Sequence, residues 1–298
     1  MSRIGFDLGG SKLAAIALDD RGGELERLRR PVPRAYPALL DAFVGMTCAL
    51  ERAHGPSPVV GIGMPGMIAA DGRLVRVVNL PWVEGRSIAD DLAARLARPV
   101  RIANDANCFA LSEALDGAAA GARVVFGAIL GTGVGGAVVV DGRALPGANA
   151  IAGEWGHNPL PPDEEERGLA PPRCACGRAG CIEAWLNGDA LLREVRAQGG
   201  GARSAVEVAA RAATGDPAAT RALERYARRL ARALAGIINL LDPDVIVVGG
   251  GLSAIDRLYA AVPELWRPHV VAPAPATRLV RARHGPDSGL RGAAWLAG

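Results

Sequence analysis

The segment Gly153–Glu183, GEWGH followed downstream by CACGRAGCIE, concentrates more chemistry than any other part of the chain. It holds one of the four histidines and three of the five cysteines. The spacing His157-x16-Cys174-x-Cys176-x4-Cys181 offers four imidazole and thiolate ligands with none to spare, the donor set of a closed, structural zinc site. The plain alternative is a chance gathering of buried thiols. A ligating imidazole uses one ring nitrogen, so the other N–H stays available to a substrate or a neighbouring oxygen. Glu154 and Glu183 flank these ligands without belonging to a usual zinc set. The segment therefore points to a metal that shapes a site for a polar ligand.

Three glycine-rich stretches add a second chemistry. GTGVGG (Gly131–Gly136) matches G-x-G-x-x-G, but a dinucleotide-binding reading needs a helix next and an acid about twenty residues on. A strand, AVVVDG, follows instead, which favours a hairpin whose backbone N–H groups form an anion nest. DLGGSK (Asp7–Lys12) repeats that plan and adds a carboxylate, a hydroxyl and the only lysine of the chain. Asp7 is placed to hold Mg²⁺ directly or through water, because hard divalent ions at phosphates take few protein carboxylates. Gly249–Gly251 follow a strand and leave room for backbone to approach a nucleotide. The bland readings are tight turns at the hairpins, a turn-initiating Asp7 and a simple strand-to-helix loop. Asp105 ends the strand-like AND and opens a helix, where the dipole favours an ionised carboxylate. Helix capping is the ordinary task there. A general base for a substrate hydroxyl needs the same ionised group at the mouth of a cleft, and the polar neighbours Asn104 and Asn107 favour that role.

The elements that must position these residues read as α/β, with short β-branched runs alternating with amphipathic Ala/Leu/Arg stretches. The hairpins Ile4–Asp20 and Val124–Gly142 share one plan and predict two similar domains facing a cleft. Helices are expected near Tyr36–His54, Ala106–Leu115, Gly188–Ala197, Val206–Thr214, Pro217–Leu241 and Asp256–Trp266. Strands are expected at Val59–Gly63, Val100–Ala103 and Val245–Val248. The small-residue stretch Gly117–Ala122 sets a boundary between domains at 1–118 and 119–288. A terminal helix within 289–298 folds back onto the first domain. Cys48 and Cys108 sit alone in helix-like segments and are expected in the core. A net charge of +3 without a basic block gives no nucleic-acid footprint. No apolar run reaches a spanning length, and the N-terminus lacks signal-peptide features, so a cytoplasmic protein is expected. The crowding of Cys174, Cys176 and Cys181 also fits a reducing compartment.

With these residues in view, the chain resembles sugar kinases of the ROK family (repressor, open reading frame, kinase). DLGGSK, GIGMPG, NLPW, NDANC, LGTGVGG, GEWGHNPLP, CACGRAGCIE, DPDVIVVGGG and RHGPDSGLRGAAWL occur in family order from end to end. GEWGHNPLP and SGLRGAAWL resemble the fructokinase/mannokinase branch, whereas GIGMPGM, NCFALSEA and GTGVGG also resemble N-acetylglucosamine kinases. The resemblance implies an actin-like (ribonuclease H-like) two-domain ATPase fold with a closing cleft and a structural zinc loop. It implies an ATP-dependent kinase acting on the C6 hydroxyl of a hexose, fructose or mannose in first place, with N-acetylglucosamine or glucose as alternatives. A non-catalytic sugar sensor is the alternative class. Asp105 would be the catalytic base. Gly9, Gly10, Ser11, Lys12, Gly131, Thr132 and Gly133 would line the ATP phosphates, and Gly249, Gly250 and Gly251 the adenosine side. Gly66, Asn79, Asn104, Glu154, His157 and Glu183 match family sugar contacts, and His157, Cys174, Cys176 and Cys181 match the zinc ligands. ATP, Mg²⁺ and Zn²⁺ are the implied cofactors, and a homodimer the implied assembly. The chain opens on the phosphate hairpin, so the winged helix-turn-helix of the family's repressors is not expected. One departure is NLPW at Asn79–Trp82, where close fructokinases read NSTW. It sets Leu80 and Pro81 in place of two small hydroxyl residues beside the sugar.

Overall fold

The computed structural model describes residues 2–69, 72–77, 80–166 and 168–297, without the side chains of Arg76 and Glu165. The first half supplies β1 (Arg3–Leu8), β2 (Lys12–Leu18), β3 (Glu24–Pro31), α1 (Tyr36–His54), β4 (Val60–Met64), β5 (Met67–Ile68), β6 (Leu74–Arg76), α2 (Ile88–Leu96), β7 (Val100–Asn104) and α3 (Asp105–Leu115). The second half supplies β8 (Val124–Leu130), β9 (Val134–Val140), β10 (Arg143–Ala144), α4 (Ile182–Leu186), α5 (Gly188–Ala197), α6 (Ala205–Ala213), α7 (Pro217–Leu241), β11 (Val245–Gly249), α8 (Arg257–Trp266), β12 (Arg278–Arg281) and α9 (Ser288–Trp295).

Two five-stranded sheets form, ordered β3-β2-β1-β4-β7 and β10-β9-β8-β11-β12. Each starts from an antiparallel meander and is extended by parallel strands, so the second repeats the first strand for strand. This is the actin-like order that the paired hairpins predict. By contacts the chain divides into one compact unit of residues 1–121, 137–152 and 283–298, and another of 122–136 and 153–282. No helix among the described residues is long and apolar enough to cross a membrane.

In the first unit, period-2 alternation sends Ile4, Phe6, Leu8, Leu13 and Ala15 into one core with Leu39, Phe43 and Met46 of α1. Phe6 meets Phe43 edge-on at 4.8 Å between ring centroids. The other face receives α9: Ile16 and Leu18 pack on Leu290 and Ala294. That packing is backbone-close. A Cβ on Gly61 would lie 1.7 Å from the Ala293 carbonyl oxygen, and one on Gly5 2.1 Å from the Ala294 nitrogen. Gly61→Ala is therefore expected to destabilise the protein by about 3 kcal/mol or more, since neither backbone can yield without moving α9. Chemical denaturation of the variant measures it, and a loss below about 1 kcal/mol would contradict this packing.

The approach of α9 is fixed by a fully buried acid. The Glu113 carboxylate accepts from the Ala118 and Arg283 backbone N–H groups, both at 2.9 Å, from the His284 N–H at 3.0 Å and from the Ser288 hydroxyl at 2.8 Å. Four donors satisfy a carboxyl group whose burial without partners would be costly. Cys108 is buried as expected, but Cys48 lies on the exposed side of α1. The positions Phe43, Met46, Thr47 and Leu50 already fill the inward stripe of that helix.

In the second unit β11, VIVVG, is buried along its whole length. α7 begins on Asp216, whose side chain accepts from the Ala218 and Ala219 N–H groups, with Pro217 in the first turn. It ends on Asp242 in the left-handed region.

Candidate active site

In the first unit the parallel strands end side by side. Asp7 of β1 and Ala103 of β7 both pair with Gly63 of β4, so Asp7 and Asp105, two residues beyond Ala103, emerge at the same end of the sheet. The hairpin turn after Asp7 closes by the Gly9 N–H donating to the Lys12 carbonyl at 3.0 Å, and Gly10, Ser11 and Lys12 are exposed there. The capping reading of Asp105 is overturned. Asn104 is the cap of α3, its side chain accepting from the Asn107 N–H at 2.8 Å. Asp105, the first residue of the helix, is partly open to solvent and accepts only local contacts, from the Ala106 N–H at 2.9 Å and from its own backbone N–H. Protein packed behind it withholds water, and this desolvation raises its pKa despite the lowering effect of the Ala106 N–H.

Asp7 is pushed up to about 6, by burial first and by the charge of Asp105 second. With a folded pKa above the ordinary 3.8, the folded state holds the proton more tightly, so stability falls as pH rises from about 4 through 6. Asp7→Asn should therefore stabilise the ligand-free protein at pH 7 by up to about 3 kcal/mol, and by only about 0.5 kcal/mol at pH 4. Denaturant midpoints at the two pH values test this; equal midpoints for wild type and variant at pH 7 would contradict it.

Gly66 takes φ 112°, a conformation that favours glycine. Gly66 and Asn104 line a concavity of about 440 Å³ within the first unit, together with Asn107. The Asn107 Oδ1 is buried there with no hydrogen-bond partner among the described residues, so it can accept from a hydroxyl. Asn79 lies outside the described residues. Leu80 is buried in the core of the first unit, so the NLPW departure places an apolar anchor where a sugar-facing residue was expected.

In the second unit the four expected metal ligands converge, their ligand atoms all within 4.8 Å of one another. His157 Nδ1 lies 3.7 Å from Cys174 Sγ, and Cys176 Sγ lies 3.6 Å from Cys181 Sγ. The edge of a tetrahedron of zinc–thiolate bonds is about 3.8 Å, so the spacing and the Cys₃His donor set both fit zinc. The knuckle is shaped by the Cys174 N–H donating to the Arg178 carbonyl at 2.8 Å, with Gly177 at φ 90°. Because Nδ1 faces the sulfurs, Nε2 of His157 points away from them and stands 4.0 Å from Glu154 Oε2.

The GEWGH segment and α4 also grip the glycine turn between β8 and β9. The Trp155 indole N–H donates to the Gly135 carbonyl at 2.7 Å. A Cβ on Gly156 would fall 1.9 Å from the Val134 carbonyl oxygen. The Val134 N–H donates to Glu183 Oε2 at 3.0 Å, and the Gly188 N–H to the Gly131 carbonyl at 2.8 Å. Glu183, expected as a sugar contact, contacts the backbone of the glycine turn, as do Trp155, Gly156 and Gly188, which no sequence signal distinguishes. Gly250, at φ 81°, passes so close to β8 that a Cβ would sit 2.3 Å from the Leu130 carbonyl oxygen. Gly131 approaches Gly251 with no side chain between them, which leaves a bare-backbone cradle suited to phosphate.

The acidic turn Asp163–Glu166 is clamped to α7. Arg229 Nε donates to Glu166 Oε1 at 3.0 Å, and its guanidinium lies 4.7 Å over the Trp185 ring. Arg232 holds Asp163 and the second oxygen of Glu166, and donates to the Pro161 carbonyl at 3.2 Å. Tyr226 donates its hydroxyl to the Leu186 carbonyl at 2.8 Å, so α7 also fixes the end of α4. Both arginine side chains are only 4 % exposed, which makes their carboxylate partners obligatory.

Comparison with known proteins adds identity to this geometry. The profile of the ROK family matches residues 3–298. An N-acetyl-D-glucosamine kinase of Escherichia coli is 41% identical, and one of Erwinia tasmaniensis 42%, each over 98% of both chains. Among solved structures, a ROK hexokinase from Thermus thermophilus is similar with a TM-score of 0.86 and 34% identity, covering 99% of this chain and 97% of the other. A ROK family glucokinase from Streptomyces griseus, solved with glucose and AMPPNP, gives a TM-score of 0.74 at 28% identity over 99% of both.

Proposed function

We propose that this chain, which belongs to the ROK family, is an N-acetyl-D-glucosamine kinase that phosphorylates the C6 hydroxyl of its sugar. It is an ATP-dependent sugar kinase. The observation that carries the choice of sugar is the 41–42% identity to N-acetyl-D-glucosamine kinases over 98% of the chain. The expectation of fructose or mannose is set aside on the same ground.

Mg·ATP, when bound, supplies the γ-phosphoryl group and the neutralising cation, and catalysis is then largely positioning and charge. Gly9, Gly10, Ser11 and Lys12 of one turn and Gly131, Thr132 and Gly133 of the other hold the phosphates. Gly249–Gly251 take the adenosine side, and Asp7 holds Mg²⁺ directly or through water. Asp105 accepts the C6 hydroxyl proton at its carboxylate. Its freedom from capping and its raised pKa support that role, since raising a carboxylate's pKa makes it a stronger base. Gly66, Asn79, Asn104, Glu154, His157 and Glu183 orient the ring hydroxyls. His157 Nδ1, Cys174, Cys176 and Cys181 would hold a structural zinc, and ligation at Nδ1 would leave the proton on His157 Nε2, which is offered to the sugar. Domains at 1–118 and 119–288, a homodimer and a cytoplasmic location complete the reading.

An ADP-release assay on N-acetyl-D-glucosamine, glucose, mannose and fructose tests it. The expected result is a kcat/KM for N-acetyl-D-glucosamine at least tenfold above the others. A tenfold preference for any other hexose overturns the choice of sugar.

A further inference from the structure

We infer that Glu183 and Trp155 are positioning residues of the phosphate turn, which they hold in the shape that receives the nucleotide. The sugar loop and the turn Gly131–Gly136 are thereby one mechanical piece. The inference rests on the reading of that turn as a phosphate site.

The argument starts from what a glycine turn lacks. Four of the six residues of GTGVGG are glycine, so the backbone alone has little reason to keep one shape. A nest of N–H groups binds an anion well only when the groups are already aimed, because ordering them on binding is charged against affinity. Within the turn, the Gly131 N–H donates to the Gly133 carbonyl at 2.9 Å. The remaining restraint comes from outside. Glu183 Oε2 fixes the Val134 N–H at 3.0 Å, and a Cβ on Gly133 would meet the same oxygen at 2.8 Å. From the other side the indole of Trp155 fixes the Gly135 carbonyl at 2.7 Å. Trp155 is itself held, buried and edge-on to Phe126 at 5.6 Å.

Both anchors belong to the sugar segment. Trp155 is the residue after Glu154 and two before His157, and the second oxygen of Glu183 faces the Cys174 sulfur at 3.4 Å. A sugar that orders Glu154, His157 or Glu183 therefore also orders the phosphate turn. Sugar and nucleotide affinities must then be coupled, and by reciprocity each raises the other by the same factor.

The test is nucleotide binding without sugar, so that a lost sugar contact cannot explain the outcome. Titration calorimetry with Mg·AMPPNP is run on the zinc-loaded wild type and on Glu183→Ala, Glu183→Gln and Trp155→Phe. Glu183→Ala, which removes the acceptor of the Val134 N–H, is expected to weaken binding about tenfold. Glu183→Gln keeps an acceptor oxygen and should stay within about threefold. Trp155→Phe keeps the ring but loses the donor, and should weaken binding several-fold while reducing the enhancement produced by N-acetyl-D-glucosamine. Zinc content and the unfolding midpoint confirm that each variant is folded. If Glu183→Ala does not fold, the Trp155→Phe enhancement decides. Wild-type affinity in folded Glu183→Ala, or an undiminished enhancement in Trp155→Phe, overturns the inference and leaves the kinase reading intact. A wild type that binds no nucleotide overturns both.

Discussion

Asp105→Asn should lower kcat by about 10² or more while the sugar dissociation constant changes little. The variant keeps the shape and the helix start, because Asn104 rather than Asp105 caps α3. It loses only the ability to take the hydroxyl proton, so the loss, about 3 kcal/mol or more of barrier, belongs to the chemical step. The pH profile gives a second signature. A base works only when ionised, and desolvation raises the pKa of Asp105, so the acid limb of kcat/KM should lie above the ordinary carboxylate range. In the variant that limb should vanish. Near-wild-type turnover in Asp105→Asn would remove it from the role of base.

Cys176→Ser should lose the metal and raise the sugar KM by about tenfold to a hundredfold. The apparent binding energy of a structural zinc site is about 10–16 kcal/mol, and much of it is spent ordering the segment that carries the ligands. Here that segment runs from His157 to Cys181, and among the described residues its only β-pairings are two isolated bridges, Pro159 with Cys181 and Arg173 with Ala179. Without the metal, His157 loses the partner that fixes its tautomer. The segment should still remain attached, because Arg229 and Arg232 grip the acidic turn independently of the sulfurs. A lower unfolding midpoint with a folded protein is therefore expected, measured beside elemental analysis for zinc. An unchanged sugar KM in a zinc-free protein would refute this.

The site was legible where chemistry depends on residue type and short spacing. The two hairpins and the clustering of His157, Cys174, Cys176 and Cys181 stand in the sequence, and so does the candidate base Asp105, because glycine, cysteine and a strand-end aspartate have few other reasons to recur in that order. The helices from Gly188 to Ala197 and from Pro217 to Leu241 were legible from period and caps. Illegible were elements whose residues contradict the usual signal. β3, ELERLRRP, is an exposed edge strand and reads as a charged loop. α4 is too short to show a period. Arg229 and Arg232 sit in an arginine-rich helix where buried and solvated cations look alike, and only their partners tell them apart. Trp155 and Gly156 read as letters of a motif; their grip on the glycine turn is a matter of three-dimensional proximity. The hexose was illegible because Leu80, the residue that seemed to speak to it, turns inward.

Lys12 has a consequence for labelling chemistry. It is the single side-chain amine of the protein and stands exposed where the first glycine turn enters β2. Every other side-chain cation that is permanently charged is a guanidinium, which acylating reagents leave alone at neutral pH. Among side chains, amine-directed dyes, crosslinkers and surface couplings are thus addressed to the first glycine turn, with the α-amino group as the other target. Immobilising this protein through Lys12 would crowd the turn proposed to hold the ATP phosphates, and a fluorophore attached there would compete with the proposed nucleotide site.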